Sequence, residues 1–437
     1  MNTAFEAQMR MQLGPEATAF FTALEQPYQR GFRFNPRKTM EQTPDGTLDP
    51  VPWWPVYGRY LAADSAAGLD PLHEAGAYYI QEPSAMAPVA VLAPRPGERI
   101  LDLCAAPGGK STQIADCLQG YGLLVSNEPV PGRAKILSRN IERMGVPNAL
   151  VVSARPEKLA PLWRGLFDGV LVDAPCSGEG MFRRHPETRE EWTPQSPEGC
   201  ASRQKGILDC AAQMVRPGGR MVYSTCTFNT LENEGVIRGF LTDHPDFRAE
   251  PFSLEPAGEL TADSGMLHLY PHRIRGEGHF VAKLVRLGDD DGSAGFLPAS
   301  QRLATPDKAL LGAYRDFANN FGDLPAANAR LGDALLAAPD LPPLNGVTVL
   351  RAGVRLGALK GRVFAPDHAL ALALANPRTF PRLDLTRQQA LSYQRGETIP
   401  CGQTGYLLAC YQGLSLGFGK ASGGQMKNHY PKGLRRP

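Results

Sequence analysis

Five short apolar runs alternate with segments of helical periodicity across the middle of the chain. The runs are RILDLC (99–104), LLVSNE (123–128), ALVVS (149–153), GVLVDA (169–174) and GRMVYSTC (219–226). Between them, Gly109 to Leu118, Gly132 to Met144 and Ser202 to Val215 repeat their apolar residues at helical spacing. Runs this short and this apolar read as buried parallel strands, and their alternation with helices predicts a doubly wound α/β sheet. In such a sheet the ligand site lies at the carboxyl ends of the strands. HFVAKLVR (279–286) predicts an additional edge strand closing the domain. With 437 residues, the chain exceeds the roughly 250 to 300 at which one core stops growing, so further domains are expected on either side.

The strand ends carry the chemistry. The loop Cys104-Ala105-Ala106-Pro107-Gly108-Gly109-Lys110 follows the first strand and opens a helix. Its glycines let the backbone approach a ligand, and the helix N-terminus favours a carboxylate. Glu128 ends the next strand about 20 residues on, where an acid can bind a ribose diol. A nicotinamide cofactor would fit this geometry too. Two thiols shift the reading to S-adenosylmethionine: Cys176 in DAPC and Cys226 in STC, each just past a predicted strand. A hydride transferase has no use for them, whereas chemistry on a pyrimidine does. Carbon 5 of cytosine is a poor nucleophile until a thiolate adds to carbon 6. The adduct must then be collapsed, a step a second cysteine would suit. Asp173 could hydrogen-bond the ring nitrogen or exocyclic amine and draw electrons as the thiolate adds.

The remaining sequence narrows the class. No stretch approaches the ~18 uninterrupted apolar residues of a membrane span, and MNTAFEAQMRMQLG lacks a basic segment followed by an apolar one. The chain reads as cytoplasmic, with no membrane partner. Its eight cysteines include no C-x-x-C pair, which argues against a metal site and a disulfide scaffold alike. Cys117, Cys200, Cys210, Cys401 and Cys410 are expected to be small buried hydrophobes. From Gln301 onward there are 17 Lys and Arg against 8 Asp and Glu, an asymmetry that fits either a basic RNA-facing appendage or a solvated basic surface. Near the start, an amphipathic helical stretch (Ala4 to Leu24) precedes GFRFNPRK. There Arg30, Phe32, Arg33, Phe34, Arg37 and Lys38 interleave charge and rings, a pattern that can track phosphates and stack on bases. Leu287 to Gly295 reads as a polar linker, and TGYLLACYQGLSLGFGK as a β-rich tail.

The runs YYIQEPSAMAP, LDLCAAPGGKS, NEPVPGRAKILSRNIERMG, FDGVLVDAPCSGEGMFRRHPE and GGRMVYSTCTFNTLENEGVI resemble the Nol/Nop/Sun family of RNA cytosine-5 methyltransferases, over roughly Gly76 to Arg286. The resemblance implies that Cys226 is the nucleophile and that Cys176 assists release. It also implies that Lys110, Glu128 and Asp173 belong to the active site, and that Arg133 and the loop Cys104 to Lys110 help bind the cofactor. The ending GFGKASGGQMKNHYPKGLRR is similar to the PUA-like domain of the family's bacterial branch that methylates small-subunit ribosomal RNA, and GFRFNPRK resembles the family's N-terminal RNA-binding segment. Many members place an Asp at the adenine after the third strand; Ser153-Ala154-Arg155 stands here instead, so no side chain is assigned to that contact.

The expectation is therefore a Rossmann-like class I methyltransferase domain (76–288) between an N-terminal RRM-like RNA-binding segment (1–75) and, after the linker, an intermediate domain (296–380) and a PUA-like domain (381–437). A monomer is expected, acting with S-adenosylmethionine on 16S ribosomal RNA or the small ribosomal subunit. The same reaction on transfer RNA, and a non-catalytic ribosome-assembly factor, stay open.

Overall fold

The computed structural model describes residues 2–40, 42–254, 260–289 and 295–436. The five apolar runs form five adjacent parallel strands: β5 (Arg99–Asp102), β6 (Leu123–Asn127), β7 (Ala149–Ser153), β8 (Phe167–Asp173) and β9 (Val215–Thr225). Their spatial order is β7-β6-β5-β8-β9. Three helices make crossovers: α1 (Gly109–Leu118), α2 (Pro131–Arg143) and α3 (Gln195–Met214). The third begins seven residues before the predicted start, with Pro197 in its first turn, where a missing N–H costs nothing. The strands read as unbroken apolar runs because both faces are buried. Leu101, Val125 and Val170 enter one core, while Ile100, Leu124 and Leu171 enter the other.

HFVAKLVR forms β11 (His279–Arg286), antiparallel to β9. It is not the edge. β10 (Phe247–Ala249) and Met266–Leu269 both pair with it. The alternation explains the placement: Phe280, Ala282 and Leu284 fill one core and Val281 the other, so neither face could be left to solvent. At the opposite end Thr348–Ala352, from beyond the polar segment, pairs antiparallel with β7. Residues 290–294 of that segment lie outside the described residues.

The N-terminal segment contains helices Thr3–Leu13 and Ala17–Leu24, then a four-stranded antiparallel sheet. The strands are β1 (Arg30–Phe34), β2 (Thr47–Pro50), β3 (Gly58–Leu61) and β4 (Tyr78–Ile80), in the order β2-β3-β1-β4. Short helical turns at Ala67–Leu69 and Pro71–Glu74 link β3 to β4, as in a split βαβ arrangement. Three of the residues expected to meet RNA, Phe32, Arg33 and Lys38, are buried, whereas Arg30, Phe34 and Arg37 are half-buried. Phe32 and Tyr78 pack with Tyr393, Leu407 and Leu416 of the C-terminal region, while Tyr60 and Tyr79 on the other face pack with Met86 and Ile114 of the central domain.

Arg33 is wholly buried. It donates to Gln81 Oε1 at 2.6 Å, to the Gly109 carbonyl and Thr112 Oγ1 at 2.8 Å each, and to the Asp116 carboxylate. It therefore fastens the N-terminal sheet to α1. Lys38 donates to the Ala75 carbonyl, and its burial pulls the ammonium pKa down to about 7. The C-terminal region holds a four-stranded sheet over residues 329–366 and a five-stranded sheet over 382–428, whose longest hairpin joins Gly405–Tyr411 to Leu414–Ser422. That hairpin carries the predicted β-rich tail. Burial pushes the Asp116 carboxyl up to about 7 against the pull of Arg33. Removing Arg33 thus leaves a buried acid that must stay unpaired or take up a proton. Arg33→Ala is expected to cost about 3–5 kcal/mol, seen as a lower urea midpoint; an unchanged midpoint would contradict the role given to this contact.

Candidate active site

Parallel register places Asp173, the last residue of β8, beside Ser224 of β9. The two chains leave the sheet together and form adjacent loops, 174–182 and 226–232. Cys176 Sγ and Cys226 Sγ meet at 3.3 Å. Several hydrogen bonds bind one loop to the other. Ser177 N donates to Glu232 Oε2 at 3.0 Å, and Ser177 Oγ contacts Thr227 Oγ1 at 2.9 Å. Gln204 of α3 donates to both the Pro175 carbonyl (3.0 Å) and Glu232 (2.9 Å). Gly180 N donates to the Cys226 carbonyl at 2.8 Å. The N-terminal helices brace the pair from outside. Phe5 meets Phe182 edge-on at 5.0 Å, Phe20 meets Phe228 at 5.0 Å, and Gln12 donates to the Phe228 carbonyl at 2.8 Å.

A cavity of about 420 Å³ opens at these strand ends, lined by Cys104 to Pro107, Gly109, Lys110, Asp173 and Cys226. Lys110 Nζ donates to Asp173 Oδ2 at 2.9 Å, and Ser224 Oγ to Asp173 Oδ1 at 2.8 Å. Burial opposes ionisation of Asp173, but the Lys110 ammonium outweighs it, with His279 adding to the effect, and holds the carboxyl well below the usual range. Burial likewise opposes the Lys110 charge, and Asp173 overcomes it, so the ammonium pKa rises. The site therefore keeps a fixed cation and anion beside the Cys226 sulfur. For Cys176, the hydrogen bond to Cys226 and burial together push the thiol pKa up; either sulfur can donate in the contact between them. Burial also raises the pKa of Cys104, the third sulfur near the cavity, which leaves it an inert thiol. Burial pushes Cys210 up to about 11, and Cys117 and Cys410 up to about 12.

The structure thus brings Lys110, Asp173, Cys176, Cys226 and most of the glycine loop together. Gly108, Glu128 and Arg133 lie beside this cavity's lining rather than in it. Glu128 is buried, accepts from Val130 N at 3.0 Å and sits 3.5 Å from Arg133 Nη1; Arg133 in turn donates to the Ala106 carbonyl at 3.0 Å. The glycines also answer to the protein itself. Gly108 has φ +115°, and a Cβ on Gly109 would meet the Tyr79 and Gln81 side chains at 3.3–3.4 Å. Sequence reasoning missed Asp102, Ser177, Gln204, Glu232 and His279. Glu232, six residues past Cys226, offered a signal as an acid in an otherwise polar run; the others are visible only once the strands are in register. Asp102 ends β5 fully buried and belongs to the cavity lining, and its Oδ1 lacks a hydrogen-bond partner among the described residues. Burial pushes its carboxyl up to about 7.

Parallel strands in the order β7-β6-β5-β8-β9, continued by antiparallel β11 and then β10, define a class I methyltransferase, an S-adenosylmethionine-dependent architecture. Residues 89–285 match the family model for 16S rRNA methyltransferase RsmB/F. Residues 1–83, 316–374 and 380–436 match the N-terminal, first C-terminal and PUA domains of the RsmF methyltransferase. Ribosomal RNA small subunit methyltransferase F of Erwinia tasmaniensis is 33% identical, with 99% of this chain and 96% of that protein covered. The Escherichia coli protein of the same name is also 33% identical, over 99% and 96%. The chain belongs to the RsmF family of 16S rRNA methyltransferases. Among solved structures, a methyltransferase homolog from Pyrococcus horikoshii is similar at TM-score 0.55 and 30% identity, over 66% of this chain and 96% of that one. NSun6 from the same organism shares the fold at TM-score 0.51 and 22% identity, over 65% and 98%.

Gly180 offers a test of the loop geometry. A Cβ there would lie 2.9 Å from the Cys226 carbonyl and 3.2 Å from that of Gly278, backbone atoms that cannot rotate aside. Gly180→Ala is expected to cost about 1–3 kcal/mol and to slow methyl transfer. Gly206→Ala, on α3 with open space around it, should instead stabilise by about 0.5–1 kcal/mol. Thermal unfolding and a methyl-transfer assay on both variants check this; equal behaviour would contradict the proposed crowding.

Proposed function

We propose that the protein methylates carbon 5 of a cytosine in 16S ribosomal RNA through a covalent adduct between Cys226 and carbon 6 of the base. The observation carrying this reading is the 3.3 Å contact of two sulfurs beside a Lys–Asp pair. Cys226 stands against Cys176 and shares the cavity wall with Lys110. Asp173, held ionised, can accept from the exocyclic amine and orient the base, while the Lys110 ammonium beside it can offset the negative charge that builds on the ring as sulfur adds to carbon 6. Addition moves electron density to carbon 5, which becomes nucleophilic. S-adenosylmethionine supplies the methyl group. Transfer of the carbon 5 proton to solvent then re-forms the carbon 5–carbon 6 double bond, breaks the carbon–sulfur bond and releases Cys226 as a thiolate, which Cys176, 3.3 Å from the Cys226 sulfur, is placed to hydrogen-bond.

The residues present fit that cofactor. The unpartnered Asp102 Oδ1 is a buried acceptor suited to an ammonium, and the first turn of α1 offers N–H groups to a carboxylate. Glu128, held by its own turn and by Arg133, is assigned to the ribose diol, with Cys104 to Lys110 forming the adjoining wall. Exposed Lys420, Lys427 and Lys432 place the basic surplus of the C-terminal region where phosphates can reach it.

The two cysteines predict opposite results on a denaturing gel. Cys226→Ala should abolish both methylation and covalent complex while still binding cofactor. Cys176→Ala should attack and methylate once, then stall as a slow-migrating band that nuclease removes. The reverse pattern would make Cys176 the nucleophile, and trapping in neither variant with both still active would end the two-cysteine reading.

A further inference from the structure

Glu82, Glu277 and Arg184 line the catalytic cavity together with Lys110, Asp102 and Asp173, and the reaction scheme uses none of the first three. Both glutamates already have donors. Glu82 accepts from Ser84 N and Ala85 N at 2.9 Å each and from Glu277 N at 2.8 Å. The two oxygens of Glu277 take the Arg183 guanidinium at 2.8 Å each, as Asp173 takes Lys110. Arg184 differs. It is exposed, and its guanidinium has neither a hydrogen-bond partner nor a carboxylate among the described residues. The turn that carries it is nevertheless fixed. Arg184 N and His185 N both donate to the Met181 carbonyl, at 3.0 and 2.8 Å, and Gly180 N just before them donates to the Cys226 carbonyl at 2.8 Å. Buried Arg183 also donates to the Ala23 and Gly276 carbonyls at 2.9 and 2.7 Å. Two neighbouring arginines thus divide the work: one is fastened into the protein, and the other stands at the cavity mouth with its fork of N–H donors unused.

We infer that Arg184 binds a backbone phosphate beside the target nucleotide and so positions the base at Cys226. The inference rests on the cytosine reading above. A base held at the Cys226 sulfur remains attached to its ribose and phosphates, which must lie at the opening. A guanidinium pairs two N–H groups with two phosphate oxygens, so the RNA supplies the anion that the protein does not. The cofactor carboxylate is the other anion in the reaction, but it is assigned to the first turn of α1. Arg184 instead stands on the turn that Gly180 ties to Cys226. A phosphate contact carries no base identity, so Arg184 sets affinity and register rather than the choice of cytosine.

Removing the charge from one phosphate separates this role from a structural one. Single-turnover methyl transfer is measured with the full-length protein and labelled S-adenosylmethionine on a 16S RNA fragment carrying the target cytosine. It is repeated with an uncharged methylphosphonate replacing the phosphate on the 5′ side of that cytosine, and then the one on its 3′ side. Each neutral RNA and its charged control carry a 2′-deoxy sugar before the linkage, which keeps the methylphosphonate intact. Arg184→Ala should slow the second-order rate of transfer to charged RNA by roughly 5- to 30-fold. On one of the two neutral RNAs the loss should shrink to less than about 3-fold, because no phosphate charge is left to lose its partner. Arg184→Lys, which keeps the charge but not the fork, should recover part of the loss. Calorimetry should show unchanged S-adenosylmethionine affinity for both variants. An undiminished loss on both neutral RNAs, no loss on charged RNA, or a matching loss of cofactor affinity would overturn the inference while leaving the function intact. A wild-type protein that methylates no cytosine would overturn both.

Discussion

Two sulfur atoms 3.3 Å apart depend on a register fixed far below them. β8 and β9 pair in parallel from Phe167 with Val215 up to Asp173 with Ser224. Each then releases a loop, with Cys176 the third residue after β8 and Cys226 the first after β9. Parallel pairing alone would let these loops splay. Ser177, Thr227, Glu232 and Gln204 prevent it with a largely buried network of hydrogen bonds between the loops and α3. Burial raises the pKa of the Glu232 carboxyl at its centre, so this polar cluster is costly unless every member is satisfied. Its satisfaction holds the two cysteine loops side by side.

The N-terminal segment acts through the same architecture. Its helices brace the two cysteine loops with edge-on aromatic contacts, and Arg33 of its sheet grips the first turn of α1, directly after the glycine loop. Within a segment that reads as an RNA-binding surface, Arg33 is therefore a positioning element for the cofactor loop. Interleaved arginine and phenylalanine suit either role, because alternation along a strand sends one set of side chains to each face. The sequence does not reveal that both faces are covered. Phe32 faces partners some 350 residues away in the chain, such as Tyr393.

Other features were legible for identifiable physical reasons. The central strands are buried on both faces, so their apolar runs stood out, and the bounds of α1 match the predicted Gly109 to Leu118 because a glycine loop and a strand frame it. Cys176, Cys226, Asp173 and Lys110 were found because each directly follows or closes one of those strands or loops. β11 was seen as a strand, but its interior position depends on β10, three residues long, too short to announce itself. Asp102 escaped notice because its significance lies in an unpaired atom, Oδ1, which only three-dimensional surroundings can expose.

The central claim is that this arrangement modifies carbon 5 of cytosine in 16S rRNA, and bisulfite sequencing of total RNA tests it most directly. Cells with the intact gene, without it, and with only a Cys226→Ala copy would be compared. The account predicts a cytosine in 16S rRNA that resists conversion only when the intact protein is present, with transfer RNA unaffected. Identical conversion profiles in all three, or a protected cytosine confined to transfer RNA, would contradict it.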